Sequence, residues 1–333
     1  MDRHLFFCID GHTAGNPVRL VVGGGPFLRG RTIAERRQEF LEHYDWIRTG
    51  LCYEPRGHAL MSGGFIFAPD ADDIDFGILF FESSGCLPMC GHGTIGIVTF
   101  ALENGLVHPR TSGQLRVEVP AGVVDVTYKR EGGRVSAVRI RNVPSYVAAE
   151  GIVIDVPDLG RLTVDVAYGG NYYAIVEPQA GYTSLDDFEA VSLIRLSRSV
   201  RELVRRQCRP VHPLYPSISG VSHVLWADKP SGAGADARNA VFYGDAAIDR
   251  SPCGTGTCAR MAHLAAKGKL TVGDTFVHES YIHSRFTGRI ESETEIGAYK
   301  AIVPSIEGSA IATGHNTIWI DGEDEFAAGF EVE

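Results

Sequence analysis

Short apolar runs bounded by glycine, proline, asparagine and aspartate recur along the chain and predict a protein rich in β-strands. In several of these runs apolar and polar residues alternate, as is typical of strands with one buried face. The clearest examples are residues 63–68, 115–119, 135–140 and 317–320. Helical patterns are fewer: residues 32–43 combine a threonine cap with a helical apolar period, and residues 192–207, which are rich in arginine, predict a solvated helix.

The chain carries one internal repeat. Asn16 precedes Cys90, and Asn171 precedes Cys253, at similar distances along the sequence. Each cysteine opens the motif Cys-Gly-x-Gly-Thr and is followed by an apolar, helix-like run that ends at a glycine. The terminal glycines are Gly105 and Gly268. The repeat predicts two similar lobes related by a pseudo-twofold axis, each with one such turn.

We expect two domains from the length of 333 residues. The first lobe, which carries Cys90, is predicted to consist of residues 1–125 and 305–333. The second lobe, which carries Cys253, is predicted to consist of residues 126–304. The final segment of the chain is therefore expected to return to the first lobe.

Composition narrows the class of protein. The net charge of −10 argues against a nucleic-acid or anionic membrane partner. No apolar stretch approaches the roughly 20 residues of a membrane helix, and the first residues lack the layout of a signal peptide. Seven cysteines, an odd number in a long chain, do not indicate a disulfide framework. These features predict an acidic α/β protein of the cytoplasm, without nucleic-acid or membrane partners.

The repeated turn suits the binding of an anion beside a reactive thiol. Glycines let the backbone approach a ligand, and the first N–H groups of a helix have no partners within the helix. A carboxylate or a phosphate is stabilised there by the helix dipole. The same partial charge favours a thiolate, so we expect the pKa of each cysteine to fall below its free value of about 8.5.

Two such thiols facing one small ligand suit the inversion of a stereocentre beside a carboxylate. One thiolate removes the Cα proton from one face while the other thiol delivers a proton to the opposite face. Backbone N–H groups on the carboxylate would stabilise the developing enediolate. We find neither a dinucleotide-binding fingerprint nor a P-loop, so the sequence predicts a proton-transfer enzyme without a cofactor.

Two plainer interpretations of these cysteines exist. Either cysteine could be an ordinary buried thiol. A metal site is the other alternative, but Cys-x3-Cys and Cys-x4-Cys are loose spacings for structural zinc. The ligand types concerned are Cys86, Cys90, His92, Cys253 and Cys258. We expect no bound metal.

Several segments resemble the proline racemase family. Residues 86–96 and 249–257 are similar to the two cysteine signatures of that family, and residues 10–19, 54–58 and 278–280 are similar to further blocks. The resemblance covers essentially the whole chain. Within the family, residues 48–50, 166–171 and 314–318 resemble the 4-hydroxyproline 2-epimerases most.

The resemblance implies an α/β (α+β) fold like that of diaminopimelate epimerase. In that fold two pseudo-symmetric lobes each curl a β-sheet or barrel around a central helix, and the active site lies in the cleft between them. The implied reaction interconverts trans-4-hydroxy-L-proline and cis-4-hydroxy-D-proline without a cofactor, and the resemblance also suggests a homodimer. The implied site has Cys90 and Cys253 as the acid/base pair, Gly91, His92, Gly254 and Thr255 holding the carboxylate through backbone N–H groups, Asp249 at the ring amine and His223 lining the site.

Two departures from the family pattern concern Ala14, where relatives often carry cysteine, and Cys258, where they often carry serine. Related 3-hydroxyproline dehydratases usually have threonine in place of the second catalytic cysteine, whereas this chain keeps Cys253. Proline racemisation and dehydration remain alternatives within the same chemistry. A non-catalytic amino-acid-binding or redox-sensing module is the alternative from another class.

Overall fold

The structure, a computed structural model, describes residues 3–69 and 71–332 and divides into two compact units. One unit is formed by Met1–Ile140 and Gly308–Glu333, and the other by Arg141–Glu307. The first boundary expected from the sequence, after residue 125, falls inside the continuous strand Gly122–Glu131. This strand forms a hairpin with Gln114–Val119, so the whole of it stays with the first unit.

Among the described residues, the elements before the second unit are mostly β-strands, interrupted by three helices. In chain order they are β1 (Arg3–Thr13), β2 (Asn16–Gly23), α1 (Ile33–His43), α2 (Asp45–Cys52), β3 (Ser62–Phe67), β4 (Phe76–Glu82), α3 (Gly91–Glu103), β5 (Gln114–Val119), β6 (Gly122–Glu131) and β7 (Arg134–Arg141).

The second unit continues the same alternation. Its elements are β8 (Ser145–Val156), β9 (Gly160–Tyr168), β10 (Tyr172–Val176), a 3-10 turn (Leu185–Asp187), α4 (Ala190–Gln207), β11 (His223–Asp228), β12 (Ala237–Tyr243), β13 (Ala247–Ile248), α5 (Gly254–Ala266), β14 (Thr275–Glu279), β15 (Arg285–Ile296) and β16 (Tyr299–Gly308). The last strand, β17 (Ala310–Asp321), belongs to the first unit.

The sheet of the first unit curls around α3. Its strands follow the order β17-β1-β2-β3-β4-β5-β6, in which β2–β3 and β4–β5 are parallel pairs and the other pairs are antiparallel. Helix α3 contacts β1, β2, β3 and β17, and its residues from Gly91 to Leu102 are buried on every side. A helix that is apolar all round belongs inside a core.

The second unit is a closed barrel around α5. Its strands follow the order β8-β9-β10-β11-β12-β14-β15-β16, and the pairing of Tyr146 with Ala301 joins β16 back to β8. The parallel pairs are β10–β11 and β12–β14. Helix α5 contacts β8, β9, β10 and β15, and is buried from Gly254 to Leu264.

The repeat in the sequence is a repeat in the structure. The series β1 to β6 and the series β9, β10, β11, β12, β14 and β15 pair in the same succession of antiparallel and parallel steps. The buried helix lies at the same point of each series, between the two strands of its second parallel pair. The predicted pair of similar lobes, each built around a central helix, is therefore confirmed.

Most predicted elements are present. The alternating run at β5 buries Leu115, Val117 and Val119, and the predicted cap of α1 is a complete capping box between Thr32 and Glu35. Both terminal glycines, Gly105 and Gly268, follow their helices with positive φ. None of the helices in residues 3–69 and 71–332 is long and apolar enough to span a membrane.

Helix α4 differs from its prediction as a solvated helix. One of its faces is buried at Leu193, Leu196, Val200 and Val204, and it contacts β8 and β11. Arg201 is also buried, and its guanidinium donates to the carbonyl oxygen of Gly244 at 2.6 Å. The prediction gave weight to the arginines of this segment and overlooked its apolar stripe, which packs on the barrel.

Two arginines in the segments that carry the family resemblance hold the first unit together. Arg19 makes two hydrogen bonds of 2.8 Å to the carboxylate of Asp10 and donates to the carbonyl oxygen of Leu51 at 2.7 Å. Arg48 binds the carboxylate of Asp45 and donates to the carbonyl oxygen of Glu82 at 3.1 Å. Both arginines are buried, so these bonds tie α2 to β1 and to the end of β4.

Candidate active site

Cys90 is the N-cap residue of α3, in extended backbone geometry with φ −138°. Its sulfur accepts a hydrogen bond from the backbone N–H of Gly93 at 3.3 Å. Its carbonyl oxygen begins the helix by accepting from the backbone N–H of Thr94 at 2.9 Å and from the hydroxyl of the same residue at 2.7 Å. The thiol therefore lies where the free N–H groups of the helix concentrate positive charge.

The imidazole of His92 lies beside this thiol. Its Nδ1 is 3.5 Å from the sulfur of Cys90, and its Nε2 is 2.8 Å from the hydroxyl of Ser62 and 3.1 Å from the amide nitrogen of Asn16. The hydroxyl of Thr13 donates to the backbone carbonyl of His92 at 2.8 Å. Burial lowers the pKa of His92 to about 4, so the ring is neutral at neutral pH.

Cys253 is the N-cap residue of α5, but its backbone has a positive φ of 61°. Such a conformation costs a non-glycine residue about 1–3 kcal/mol and persists only where neighbours impose it. The backbone N–H of Cys253 donates to the hydroxyl of Ser251 at 3.1 Å, and the amide of Asn239 donates to the carbonyl of Pro252 at 2.8 Å. The carbonyl of Cys253 accepts the first helical bond from Thr257 at 2.8 Å.

The sulfur of Cys253 lies beside a phenol instead of an imidazole. The hydroxyl of Tyr173 is 3.3 Å from this sulfur and 2.5 Å from the hydroxyl of Thr255. The amide of Asn171 donates to the hydroxyl of Thr255 at 3.2 Å. Asn171 thus holds the residue two positions after Cys253, just as Asn16 of the first unit lies against the residue two positions after Cys90.

The pKa of the Cys253 thiol is raised, contrary to the sequence-based expectation. Burial raises this pKa most, and the negative charge of Asp249 raises it further. Hydrogen bonds from Tyr173, from the backbone N–H of Gly256 and from Thr255 lower it. The expectation of a lowered pKa is therefore wrong for Cys253, because the loss of hydration outweighs the effect of the helix N-terminus.

Asp249 and His223 both lie near Cys253 within the second unit. The carboxylate of Asp249 accepts from the backbone N–H of Ser251 at 2.7 Å, and burial raises its pKa to about 7. The Nδ1 atom of His223 is 2.6 Å from the hydroxyl of Ser222, and its ring lies 4.7 Å from the ring of Tyr173, centroid to centroid. A buried carboxyl of this kind is suited to a cationic amine, which would stabilise its ionised form.

The glycines of the two motifs leave space for the thiols. A β-carbon at Gly93 would lie 2.9 Å from the sulfur of Cys90, and a β-carbon at Gly256 would lie 3.1 Å from the sulfur of Cys253. Any side chain at these two positions would press on the thiol. The second glycine of Cys-Gly-x-Gly-Thr is therefore required by the thiol itself as well as by the approach of a ligand.

The predicted site residues fall into two groups, one in each unit. Cys90, Gly91 and His92 lie together at the start of α3. In the second unit Cys253, Gly254 and Thr255 lie at the start of α5. Asp249 and His223 lie beside this second group. All of these residues are buried or nearly so.

Sequence reasoning gave no role to several residues that contact these groups. Asn16 and Asn171 were visible as equivalent members of the repeat, and this was the signal that could have singled them out. Tyr173 stands two positions after Asn171, whereas Ser62 and Asn239 carry no local pattern. The last two come near the thiols only through the pairing of β3 and β12 with their neighbours.

One cluster of metal-ligand side chains occurs within the part of the chain that the structure describes: Asp165, Glu177 and His263. Lys267 contacts both carboxylates, at 3.0 and 2.6 Å, and Arg260 contacts Glu177 at 2.8 Å. Because these cations already neutralise the two carboxylates, we interpret the cluster as an ion-pair network. It contains none of the cysteines considered in the sequence as metal ligands.

Comparison with known proteins gives the family. The profile of the proline racemase family matches residues 8–331. The chain is 58% identical over 332 residues to a 4-hydroxyproline epimerase of Brucella ovis, and all of both chains is covered. It is also 58% identical over 336 residues to 4-hydroxyproline 2-epimerase 2 of Brucella anthropi, again with all of both chains covered.

Solved structures agree. A probable proline racemase from Agrobacterium radiobacter, with bound carbonate, has a TM-score of 0.91 at 33% identity and covers 98% of this chain and 96% of its own. A hydroxyproline epimerase from Agrobacterium vitis, with bound trans-4-hydroxy-L-proline, has a TM-score of 0.91 at 28% identity and covers 99% and 95%. A PhzF-family protein of Bacillus anthracis, at 16% identity and a TM-score of 0.61, shares the fold, which confirms the predicted fold class. The chain belongs to the proline racemase family.

Proposed function

We propose that the protein is a 4-hydroxyproline 2-epimerase that interconverts trans-4-hydroxy-L-proline and cis-4-hydroxy-D-proline without a cofactor. The observation that carries the proposal is the equivalence of Cys90 and Cys253. Each is the N-cap of the buried helix in one of two units with the same strand succession. The relatives at 58% identity, named 4-hydroxyproline epimerases, support the choice of substrate.

The reaction exchanges one proton at Cα. The thiolate of one cysteine forms an S–H bond with the Cα proton, and the electron pair of the C–H bond passes into the carboxylate as an enediolate. The thiol of the other cysteine then gives its proton to the opposite face of Cα and becomes a thiolate. The two cysteines have exchanged protonation states, so the reverse reaction starts from the product form of the enzyme.

The other predicted residues supply binding and charge stabilisation. The backbone N–H groups of Gly91, His92, Gly254 and Thr255 are the first of their helices, and we infer that they hold the substrate carboxylate. Placed there, they stabilise the enediolate more than the carboxylate, because charge grows on those oxygens. Asp249 would pair with the ring amine, and His223 would line the ring.

The experiment that tests the proposal is proton NMR in D2O with reduced enzyme. Trans-4-hydroxy-L-proline and L-proline are supplied separately. We expect signals of cis-4-hydroxy-D-proline to grow while deuterium enters at Cα. Turnover of L-proline alone would identify a proline racemase, and loss of water from 3-hydroxyproline would identify a dehydratase. Absence of exchange on each of these substrates would contradict the proposal.

Single substitutions separate an enzyme from a binding module. We expect Cys90→Ser and Cys253→Ser each to lower the rate of epimerisation by about 10³-fold, because each removes one acid/base group. Cys258→Ser is the matched control, since Cys258 is a buried cysteine of α5 that is not at the helix start. If both active-site variants stayed active, the two-thiol mechanism would be wrong. If each variant lost epimerisation in both directions while the unmodified protein was active, the mechanism would stand. A binding module would show no turnover in the unmodified protein and would keep its affinity in both variants.

A homodimer and a cytoplasmic location belong to the same proposal. The dimer is supported by the family resemblance alone. The location is supported by the seven cysteines, which all lie among the described residues and form no disulfide there. Light scattering on the purified protein would measure the oligomeric state.

A further inference from the structure

Four buried groups of the second unit form a hydrogen-bonded chain that ends at a thiol. The amide nitrogen of Asn171 is 3.2 Å from the hydroxyl of Thr255, which is 2.5 Å from the hydroxyl of Tyr173. The hydroxyl of Tyr173 is 3.3 Å from the sulfur of Cys253. The four residues are between 0% and 6% exposed, so bulk water does not compete for these contacts.

The direction of donation along this chain is set when the thiol of Cys253 is ionised. The thiolate has no hydrogen, so the phenol of Tyr173 is the donor of the bond between them. The single phenol hydrogen is then used, so the hydroxyl of Thr255 is the donor of its bond to Tyr173. The amide nitrogen of Asn171 donates to the hydroxyl of Thr255. With the thiolate present, every donor in the series points toward the sulfur.

We propose that Tyr173, oriented by Thr255 and Asn171, is a positioning residue that donates a hydrogen bond to Cys253 and stabilises its thiolate. The proposal deepens the proposed function, since it concerns the protonation of one of the two acid/base groups. It assigns the stabilisation to a side chain outside the Cys-Gly-x-Gly-Thr motif.

The chemistry of the phenol fits this role. Burial raises the pKa of Tyr173 well above 10, so the phenol keeps its proton over the working range of a thiol. Hydrogen bonds to a charged acceptor are about twice as strong as those between neutral groups, so this bond strengthens when the thiol ionises. The phenol therefore offsets part of the rise in thiol pKa that burial and Asp249 cause.

The two thiols are not equivalent in this respect. The segments Gly15-Asn16-Pro17-Val18 and Gly170-Asn171-Tyr172-Tyr173 occupy matching places in the repeat, so Val18 stands where Tyr173 stands. Cys90 has the neutral imidazole of His92 at 3.5 Å instead of a phenol. The titratable groups that act on Cys253 are Asp249 and Tyr173. Arg250 acts on Asp249, His223 lies against Tyr173, and His278 is bonded to Thr257.

The test measures the thiolate directly, without turnover. The full-length reduced protein is treated with iodoacetamide at a series of pH values, and peptide mass spectrometry follows Cys253 and Cys90 separately. We expect Tyr173→Phe to lower the alkylation rate of Cys253 at pH 8 by about tenfold, the effect of one pKa unit or about 1.4 kcal/mol. The pH midpoint of Cys253 should rise accordingly, while that of Cys90 stays unchanged.

Matched variants isolate the phenol. Tyr172→Phe is the control, because the hydroxyl of Tyr172 binds the hydroxyl of Tyr146 at 2.7 Å and not a thiol. Thr255→Val removes a hydroxyl that bonds both Tyr173 and the sulfur of Cys253, so the midpoint of Cys253 should rise at least as far as in Tyr173→Phe, whereas Thr255→Ser should restore it. Thr255→Val carries the test if Tyr173→Phe does not fold, because an unchanged midpoint in this variant would overturn the proposal.

Failure of the role proposed for Tyr173 can be distinguished from failure of the proposed epimerase function. An unchanged or lowered midpoint of Cys253 in Tyr173→Phe, or an equal change at Cys90, would overturn the role of Tyr173 while leaving the epimerase intact. Loss of the epimerase proposal would instead appear as inactivity of the unmodified protein on hydroxyproline. The alkylation readout is independent of that result.

Discussion

The carboxyl group of Asp249 lies close enough to Cys253 for its negative charge to raise the pKa of that thiol. The two groups are buried in the same unit, and burial raises the pKa of Asp249 itself to about 7. Ionisation of one therefore opposes ionisation of the other. A cationic amine beside Asp249 would relieve both effects, so we expect binding of an imino acid to favour the reactive thiolate.

The raised pKa of Asp249 predicts how stability changes with pH. Between about pH 4 and pH 7 the folded protein holds a proton that the unfolded chain has lost, because the pKa of the carboxyl is raised on folding from 3.8 to about 7. The free energy of unfolding then falls as pH rises through this window, by up to about 1.4 kcal/mol per pH unit. Asp249→Asn should remove that contribution.

Urea unfolding of both proteins at pH 4, 5, 6, 7 and 8 measures this effect. The free energy of unfolding of Asp249→Asn minus that of the unchanged protein should increase as the pH rises. This difference should become constant above pH 7. Parallel curves would show that Asp249 is not a protonated buried acid.

The close approach of two glycines to the thiols predicts that replacing either glycine by alanine lowers the epimerisation rate, although alanine favours the helix. Gly93→Ala and Gly256→Ala place a β-carbon 2.9 and 3.1 Å from the sulfurs of Cys90 and Cys253. A displacement of about 1 Å at a reacting atom costs about 10²-fold in rate, even though alanine is the better helix former. Epimerisation rates measure this. Gly314→Ala, in open space, is the control and should leave the rate unchanged.

The capping box of α1 predicts a change in stability alone. The hydroxyl of Thr32 accepts from the backbone N–H of Glu35 at 3.1 Å. The carboxylate of Glu35 accepts from the backbone N–H of Thr32 at 3.2 Å. Thr32→Ala should lower the free energy of unfolding by about 1 kcal/mol, because one N–H loses its acceptor. Denaturant unfolding measures the loss, Thr32→Ser should retain the cap, and a change in epimerisation rate would contradict the expectation.

The pair between Arg19 and Asp10 predicts a larger loss. The guanidinium of Arg19 is buried at 3% exposure, and its charge is balanced by Asp10 through two bonds of 2.8 Å. Asp10→Ala leaves that charge without its partner and should destabilise the protein by about 3 kcal/mol. Asp10→Asn keeps an acceptor and should cost less in a thermal or urea unfolding experiment. Equal stability of all three proteins would show that the carbonyl partners of Arg19 suffice.

The sequence was most informative where one residue type fits one local geometry. The Cys-Gly-x-Gly-Thr turns, the threonine cap and the glycines after the helices predicted α1, α3 and α5 closely, because caps and turns depend on neighbours in the chain. Alternation at β5 predicted which side chains are buried. The strand order was not predicted, since a pairing such as that of β10 with β11 joins segments far apart in the sequence.

The surroundings of the thiols show where sequence reasoning ended. Placing cysteine at the start of a helix suggested an acidic thiol, but the pKa of Cys253 also depends on burial and on Asp249, which are properties of the folded unit. Tyr173 and Ser62 reach the two groups from neighbouring strands. Their chemistry is ordinary in sequence, and only the packing of each sheet around its helix brings them to a sulfur or an imidazole.

The pairing of β17 with β1 joins two strands that leave the ribosome at very different times. Arg3 pairs with Asp321 and Thr13 with Ala310, so β1 receives one of its two neighbouring strands from a segment that is translated much later. At about 5–20 residues per second, the roughly 300 residues between them take about 15–60 s to appear. One edge of β1 therefore stays unpaired while the second unit is being synthesised. In a chain diluted from denaturant, β1 and β17 are present at the same time. Folding during translation and refolding from denaturant therefore differ in when β1 can first meet both of its neighbouring strands.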